Sequence, residues 1–213
     1  GNLGNGIRIA SAGQDATGNL IIGNLIGVAA DGKTPLGNRA SGILIRAALS
    51  NQVGGADPGM ANVISGNLLH GVELTEGAAG NLIVGNLIGT TADGLHALGN
   101  QRSGIRLSGA PSNTVGGVTS GSRNVISANL GEGIETAPGA DRTLIVGNVI
   151  GADSTGAAPL GNHGDGIGLG SSNNSVGAQA AGGGNIIAFN GSGLLGAGVQ
   201  LFGLPTQNAI LSN

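Results

Sequence analysis

The sequence contains no cysteine, tryptophan or tyrosine, and its 213 residues include only two phenylalanines and three histidines. Without cysteine, disulfides, thiolate metal sites and cysteine nucleophiles are excluded. Charged residues make up 9% of the chain and the formal net charge is −3, so we expect no nucleic-acid partner. No apolar run approaches the roughly 20 residues that a membrane-spanning helix needs, so we expect no membrane span.

Glycine and asparagine are abundant instead, with 46 and 22 copies. The glycines do not fall on every third position, which excludes collagen. They interrupt every stretch that could form a long helix, because each glycine inside a helix costs about 1 kcal/mol. Leu, Ile, Val and Phe together supply 56 residues, which is enough apolar material for a core and argues against disorder.

The chain is built from a 62-residue repeat. The motif Gly-Asn-Leu-Ile-Gly at 23–27 returns at 85–89 and, with one Val for Leu, at 147–151. Leu-Gly-Asn at 36–38 returns at the same spacing, at 98–100 and 160–162. Self-similarity at a fixed period is the signature of a repeat architecture.

Each repeat divides into two turns of about 31 residues. A short Gly-apolar-x-apolar segment marks seven places, with Thr136 as the last residue in one of them, and two further strand-like segments follow it in each turn. Their apolar residues alternate, as at Ile105 and Leu107, which is typical of strands with one buried face. Such short strands become stable when each pairs in parallel with its equivalent one turn on. The sequence therefore predicts an all-β parallel β-helix, a solenoid of about seven turns.

The repeated Gly-Asn-x-Ile-Gly and Leu-Gly-Asn motifs resemble those of Gly/Asn-rich bacterial proteins with the right-handed parallel β-helix, the pectate-lyase-like architecture. The resemblance covers the whole chain and implies a right-handed coil. It implies little about activity, because this fold carries lyases, hydrolases, epimerases, adhesins and fibre proteins.

We expect a single β-helix domain over residues 1–213 that begins and ends in mid-turn. Gly1 and Asn2 align with the third strand of a turn, whereas 208–213 align with the second. A solenoid opened in this way exposes its core and unpaired backbone groups. The expected partners are therefore further turns of a longer chain, or other copies stacked end to end into a filament.

Two columns of asparagine should run along the solenoid. An asparagine amide can bond the backbone at a bend and also a neighbour in the next turn, so stacked copies form a stabilising ladder. Thr143 occupies the remaining slot of the first column and should weaken that ladder locally. The first column is Asn19, Asn51, Asn81, Asn113, Asn174 and Asn208; the second is Asn2, Asn38, Asn67, Asn100, Asn129, Asn162 and Asn190.

One acid-rich cluster is predicted, formed by Glu132, Glu135 and Asp165 with Arg106. Carboxylates about 5 Å apart suit retaining glycoside hydrolysis or a Ca²⁺ site. The alternative is an exposed ion-pair ladder, because Glu73, Arg106 and Glu135 alternate in sign on consecutive turns. No polygalacturonase or pectate-lyase motif can be matched to these residues, so no catalytic residue is assigned.

Every second turn carries an insert, at 25–36, 87–98 and 149–160. We expect it to fold over outward apolar residues of the preceding strand, such as Leu20 and Leu144. Each insert offers one carboxylate, whereas Ca²⁺ takes six or more oxygen ligands. Ca²⁺ is therefore a candidate cofactor only if other oxygens join that carboxylate, and ordinary turn chemistry is the alternative. The three carboxylates are Asp31, Asp93 and Asp153.

The sequence favours a structural module that is extracellular or at the cell surface, such as an adhesin stalk or a self-stacking fibre subunit. The first alternative is a carbohydrate-active lyase or hydrolase acting on an acidic polysaccharide, and surface polysaccharide is a candidate partner. Against an enzyme, Phe189 and Phe202 are the only aromatic residues that could stack on a sugar. The second alternative is a Ca²⁺-stabilised or ice-binding solenoid, although the eleven threonines form no regular column.

Overall fold

The computed structural model describes residues 1–11, 16–192 and 196–213, which contain twenty short β-strands and a 3₁₀ helix at Ser120–Ser122. The strands form three parallel sheets. Sheet 1 comprises β1 (Ile7–Ala10), β4 (Ile43–Arg46), β7 (Val72–Thr75), β10 (Ile105–Ser108), β13 (Ile134–Thr136), β16 (Ile167–Leu169) and β19 (Val199–Leu201). Sheet 2 comprises β2 (Leu20–Ile21), β5 (Gln52–Val53), β8 (Leu82–Ile83), β11 (Thr114–Gly116), β14 (Leu144–Val146), β17 (Ser175–Val176) and β20 (Ala209–Ile210). Sheet 3 comprises β3 (Leu25–Ile26), β6 (Val63–Ile64), β9 (Leu87–Ile88), β12 (Val125–Ile126), β15 (Val149–Ile150) and β18 (Ile186–Ile187).

Each strand pairs in parallel with its equivalent in the next turn. In sheet 1, Ile105 lies opposite Ile134, and Ile134 lies opposite Ile167. The described strands therefore make six turns of three strands, followed by two strands of a further turn. The predicted all-β parallel solenoid is confirmed, while its right-handed sense stays a prediction. No helix in the described ranges is long and apolar enough to cross a membrane.

The inward residues of the three sheets form one core that runs along the solenoid. Ile105, Leu107 and Ile126 are fully buried there. Equivalent inward residues stack on one another, as Ile105 does on Val72 and on Ile134, so similar packing recurs from turn to turn. Because truncating a buried Ile or Leu to Ala typically costs about 2–5 kcal/mol, this core dominates the stability of the fold.

Asparagine side chains hydrogen-bond along three columns. At most steps of a column, a residue donates from both its backbone amide and its Nδ2 to the Oδ1 of the next, as Asn38 does to Asn67 over 3.2 and 2.8 Å. Two columns are the ones expected from the sequence. The third column was not predicted from the sequence, and its residues directly precede the strands of sheet 3. It consists of Asn24, Asn62, Asn86, Asn124, Asn148, Asn185 and Asn213.

The inserts of alternate turns leave sheet 3 and return to the same corner as antiparallel pairs, for example between Thr90 and Ala97. The predicted cover over the outward residues of sheet 2 is wrong for Leu20 and Leu144, which remain 55% and 36% exposed, although Val84 and Val146 beside the same strands are buried. Instead Ala152 of the third insert packs with the outward residues of sheet 3, including Val149. The physical reason is that both ends of each insert pair directly after a strand of sheet 3, so the residues near those ends reach sheet 3 and not sheet 2.

Successive inserts also touch one another across the short turn between them. The Ala92 amide donates to the Gly32 carbonyl over 3.0 Å, and the Ser154 amide donates to the Gly94 carbonyl over 2.9 Å. The 62-residue repeat is therefore a structural period, because each insert packs on the insert two turns away.

Candidate functional site

A polar groove of about 780 Å³ lies on the outer face of sheet 1 and crosses three consecutive turns. Period-2 alternation explains its position: β7, β10 and β13 direct their apolar residues inward and Glu73, Arg106 and Glu135 outward. We call this the polar groove. Its charged and hydroxyl residues are His70, Glu73, Arg102, Ser103, Arg106, Glu132 and Glu135.

Arg106 lies between two carboxylates of neighbouring strands. Its guanidinium is 3.6 Å from Glu73 and 3.4 Å from Glu135. All three side chains are partly exposed, so each pair contributes less than about 1 kcal/mol to stability. The arrangement neutralises Arg106 and holds both carboxylates along the floor of the polar groove.

Two carboxylates share one hydroxyl in the polar groove. The Oγ of Ser103 is 3.1 Å from Oε2 of Glu132 and 2.9 Å from Oε2 of Glu135. A serine hydroxyl has one proton and can donate to one acceptor at a time. One of the two carboxylates is therefore always left with an oxygen that can accept a hydrogen bond from a ligand.

His70 is a buried residue of the polar groove, with 7% of its surface exposed. Its Nδ1 is the single buried side-chain nitrogen or oxygen without a hydrogen-bond partner in the described part of the chain. Burial lowers the pKa of His70, and the nearby Glu73 and Glu135 only partly oppose that effect. The imidazole is therefore neutral at pH 7 and can accept a proton.

The four residues of the predicted acid cluster do not all meet. Glu132, Glu135 and Arg106 line the polar groove, whereas Asp165 is absent from its lining. The Oδ1 of Asp165 accepts a hydrogen bond from the amide of Ala197 in the next turn, over 2.7 Å. Asn5, at the equivalent position of the first turn, likewise accepts a hydrogen bond from the amide of Ser41 in the next turn. Asp165 therefore binds the backbone of the neighbouring turn, as Asn5 does.

The carboxylates of the inserts accept hydrogen bonds from residues of the same tight turn. Asp31 accepts hydrogen bonds from the Thr34 hydroxyl and from the amides of Thr34 and Lys33, which lower its pKa to about 2. Hydrogen bonds from Thr91 and from Thr155 likewise lower the pKa of Asp93 and of Asp153. Within the described ranges, no group of three or more Asp, Glu and His side chains could hold a metal ion.

Sequence reasoning did not select His70, Arg102 or Ser103 as site residues. A signal for two of them was present, since His70 and Ser103 occupy the same column as Glu132, immediately before the first strand of each turn. The sequence did not show that burial would leave the imidazole neutral, because that depends on the neighbouring turns.

No protein-family model and no curated protein matches this sequence. A similar solved structure is that of a mutant of the periplasmic alginate epimerase AlgG, with 17% sequence identity and a TM-score of 0.56. The match covers 98% of this chain and 42% of that one, so this chain spans less than half the length of the epimerase. At this identity the likeness concerns the fold alone: the chain is a parallel β-solenoid with the architecture of pectate-lyase-like β-helix proteins.

Proposed function

We propose that this chain is an extracellular or cell-surface scaffold module whose polar groove binds a saccharide chain. The observation that carries the proposal is the Ser103 hydroxyl shared by Glu132 and Glu135 in an open groove. It provides carboxylate oxygens for sugar hydroxyls, and convergent polar groups in a cleft are the usual mark of a binding site.

The regular turns support the scaffold part of the proposal. Three asparagine columns and a continuous core are repeated with little change, and such features stabilise a rod without requiring any chemistry. The polar groove departs from this pattern, because it gathers five charged side chains in a chain with 9% charged residues.

The charge of the polar groove favours a neutral or amino-bearing saccharide. Its three carboxylates face two guanidiniums, and one of these, Arg106, is already held by Glu73 and Glu135. A site built for a polyanion would present an excess of free cations.

Binding is tested by calorimetry with oligosaccharides of three classes: neutral, amino-bearing and uronic. Glu135→Gln removes the charge and one acceptor, and we expect affinity to fall by about tenfold, the loss of one charge-assisted hydrogen bond. The matched control is Glu76→Gln, an exposed acid outside the polar groove that is paired with Arg46 over 2.7 Å. Absence of binding in all three classes would refute the proposed site.

A second candidate is a carbohydrate-active enzyme acting on an acidic polysaccharide. It is favoured by the neutral imidazole of His70, which could accept a proton, and by the fold likeness to an alginate epimerase. Arg102 is exposed at the groove and could bind a uronate carboxylate. In this candidate Glu132, Glu135 and Arg106 position the sugar.

The enzyme candidate is tested on a panel of polyuronates. Ultraviolet absorbance reports unsaturated products of a lyase, reducing ends report hydrolysis, and proton NMR reports inversion of a sugar carbon. We expect His70→Gln to abolish any turnover and the exposed His163→Gln to leave it intact. No turnover of any kind would remove the enzyme candidate and leave the binding proposal standing.

Self-association also belongs to the proposal. At the last described turn Leu201 and Ile210 are about half exposed, whereas their equivalents Leu169 and Val176 one turn earlier are fully buried. A further turn, from the same chain or from a second copy, would cover them. Filaments in electron microscopy would support stacking of copies, and monomeric rods by light scattering would contradict it.

A further inference from the structure

An aromatic ring lies beside the polar groove, on the outer face of sheet 1. Phe202 directly follows β19, and its amide donates to the Leu169 carbonyl over 3.0 Å, so it continues the register of that sheet. Because Val199 and Leu201 occupy the inward positions paired with Ile167 and Leu169, alternation places the Phe202 side chain outward.

The Phe202 ring turns back over two glycines of the preceding turn. A Cβ added to Gly168 would lie 3.0 Å from the Cε1 of the ring, and a Cβ added to Gly170 would collide with the ring. The same added Cβ on Gly168 would lie 3.6 Å from Cγ of Glu132. The ring therefore occupies space next to a carboxylate of the polar groove.

This placement depends on a local departure from the repeat. In the five preceding turns both outward positions of the first strand carry a side chain, such as Glu135 and Ala137 in the fifth. In the sixth turn both are glycine, which leaves the shallow seat that the Phe202 ring fills. Phe202 as a whole remains 38% exposed to solvent.

We infer that Phe202 is the stacking platform of a second sugar subsite, which extends the polar groove along the solenoid axis. The inference rests on the proposed saccharide binding. A sugar ring has an apolar C–H face that packs on an aromatic ring, while its hydroxyls reach the nearby Glu132. The bound chain then runs across the turns, with successive strands about 4.8 Å apart beneath it.

The two phenylalanines of the chain differ in their distance from the polar groove. One of the two phenylalanines lies beside the carboxylates of the polar groove. The other, Phe189, lies just after β18 of sheet 3, away from the groove, and is 52% exposed. Phe189 is therefore a built-in control for any measurement on Phe202.

The test labels the protein with 4-fluorophenylalanine, which yields two ¹⁹F signals that F189L and F202L assign. Oligosaccharides from two to six units long, of the class that binds by calorimetry, are then added. We expect the ¹⁹F chemical shift of Phe202 to change as longer chains are added, until the binding site is saturated. The chemical shift of Phe189 should not change. We expect F202L to weaken binding of the longer chains by about 3- to 10-fold, the usual contribution of one aromatic contact, and to leave the disaccharide unchanged.

The outcomes separate the two proposals. If no saccharide binds in calorimetry, the proposed function fails and the subsite fails with it. If a saccharide binds but the Phe202 signal does not move, the subsite alone is overturned. A lower melting temperature of F202L with unchanged affinity for every chain length would show that the ring only covers the glycines, which also overturns it.

Discussion

Thr143 breaks the asparagine ladder of sheet 2 directly after Asn113. Thr143 itself donates its amide to Oδ1 of Asn174 over 2.9 Å, but it offers no amide oxygen to Asn113 one turn earlier. Asn113 Nδ2 donates instead to the carbonyls of Ala78 and Ala110. The step from Asn113 to the next turn is therefore missing inside the solenoid, whereas Asn19, Asn51 and Asn81 each donate to the next asparagine.

Restoring that step should stabilise the protein. In Thr143→Asn the new Oδ1 can accept the hydrogen bonds that the other ladder steps make, a gain of about 1 kcal/mol and roughly 2–4 °C in melting temperature. The reciprocal variant Asn81→Thr removes an intact step and should lower the melting temperature. Thermal unfolding of both variants decides the matter, and a destabilised Thr143→Asn would show that Thr143 is required for packing.

Acid should destabilise the protein partly through His70. Burial holds its pKa below the ordinary value of 6.5, so the unfolded chain binds this proton more readily than the folded one. Stability from this group is therefore present above pH 6.5 and decreases as the pH falls below it. We expect His70→Gln to show a weaker loss of melting temperature between pH 7.5 and 5.5, whereas the exposed His163→Gln should follow the wild type.

The insert carboxylates should act as turn residues and not as calcium ligands. Asp153 accepts hydrogen bonds from the Thr155 hydroxyl and from the amides of Ala157 and Ala158. Asp153→Asn should therefore lower the melting temperature equally in chelator and in added Ca²⁺. A wild-type melting temperature that rises with Ca²⁺ would contradict this assignment and support a Ca²⁺-stabilised module.

In the first six turns the glycine before the first strand should be intolerant of a side chain. A Cβ on Gly104 would lie 2.5 Å from Cγ2 of the buried Ile126 and 2.7 Å from the Gly133 carbonyl oxygen. Since neither neighbour can move without disturbing the core, Gly104→Ala should cost roughly 1–3 kcal/mol or more. Gly4→Ala is the matched control, because a Cβ there meets no atom within 4 Å. Denaturant unfolding that gave equal stabilities would refute the packing argument.

The turns could be predicted from the sequence, but the asparagine column that precedes sheet 3 could not. The third segments align by their final asparagines, such as Asn38 and Asn67, because those keep nearly regular spacings. The ladder through Asn24, Asn62 and Asn86 has steps of 38 and then 24 residues, because the insert falls after its asparagine in every second turn. Only the paired strands of sheet 3 show that these residues stack.

The sequence by itself determined the parallel solenoid, its repeat and its inward residues, because side-chain alternation and the 62-residue period are properties of the chain that need no knowledge of its neighbours. The tertiary structure decided which polar residues meet. His70 lies with the carboxylates in the polar groove, Asp165 does not line that groove, and the Phe202 ring lies beside Glu132. Most of these contacts join residues of different turns, and they depend on side-chain direction and on the space that a neighbouring turn leaves open.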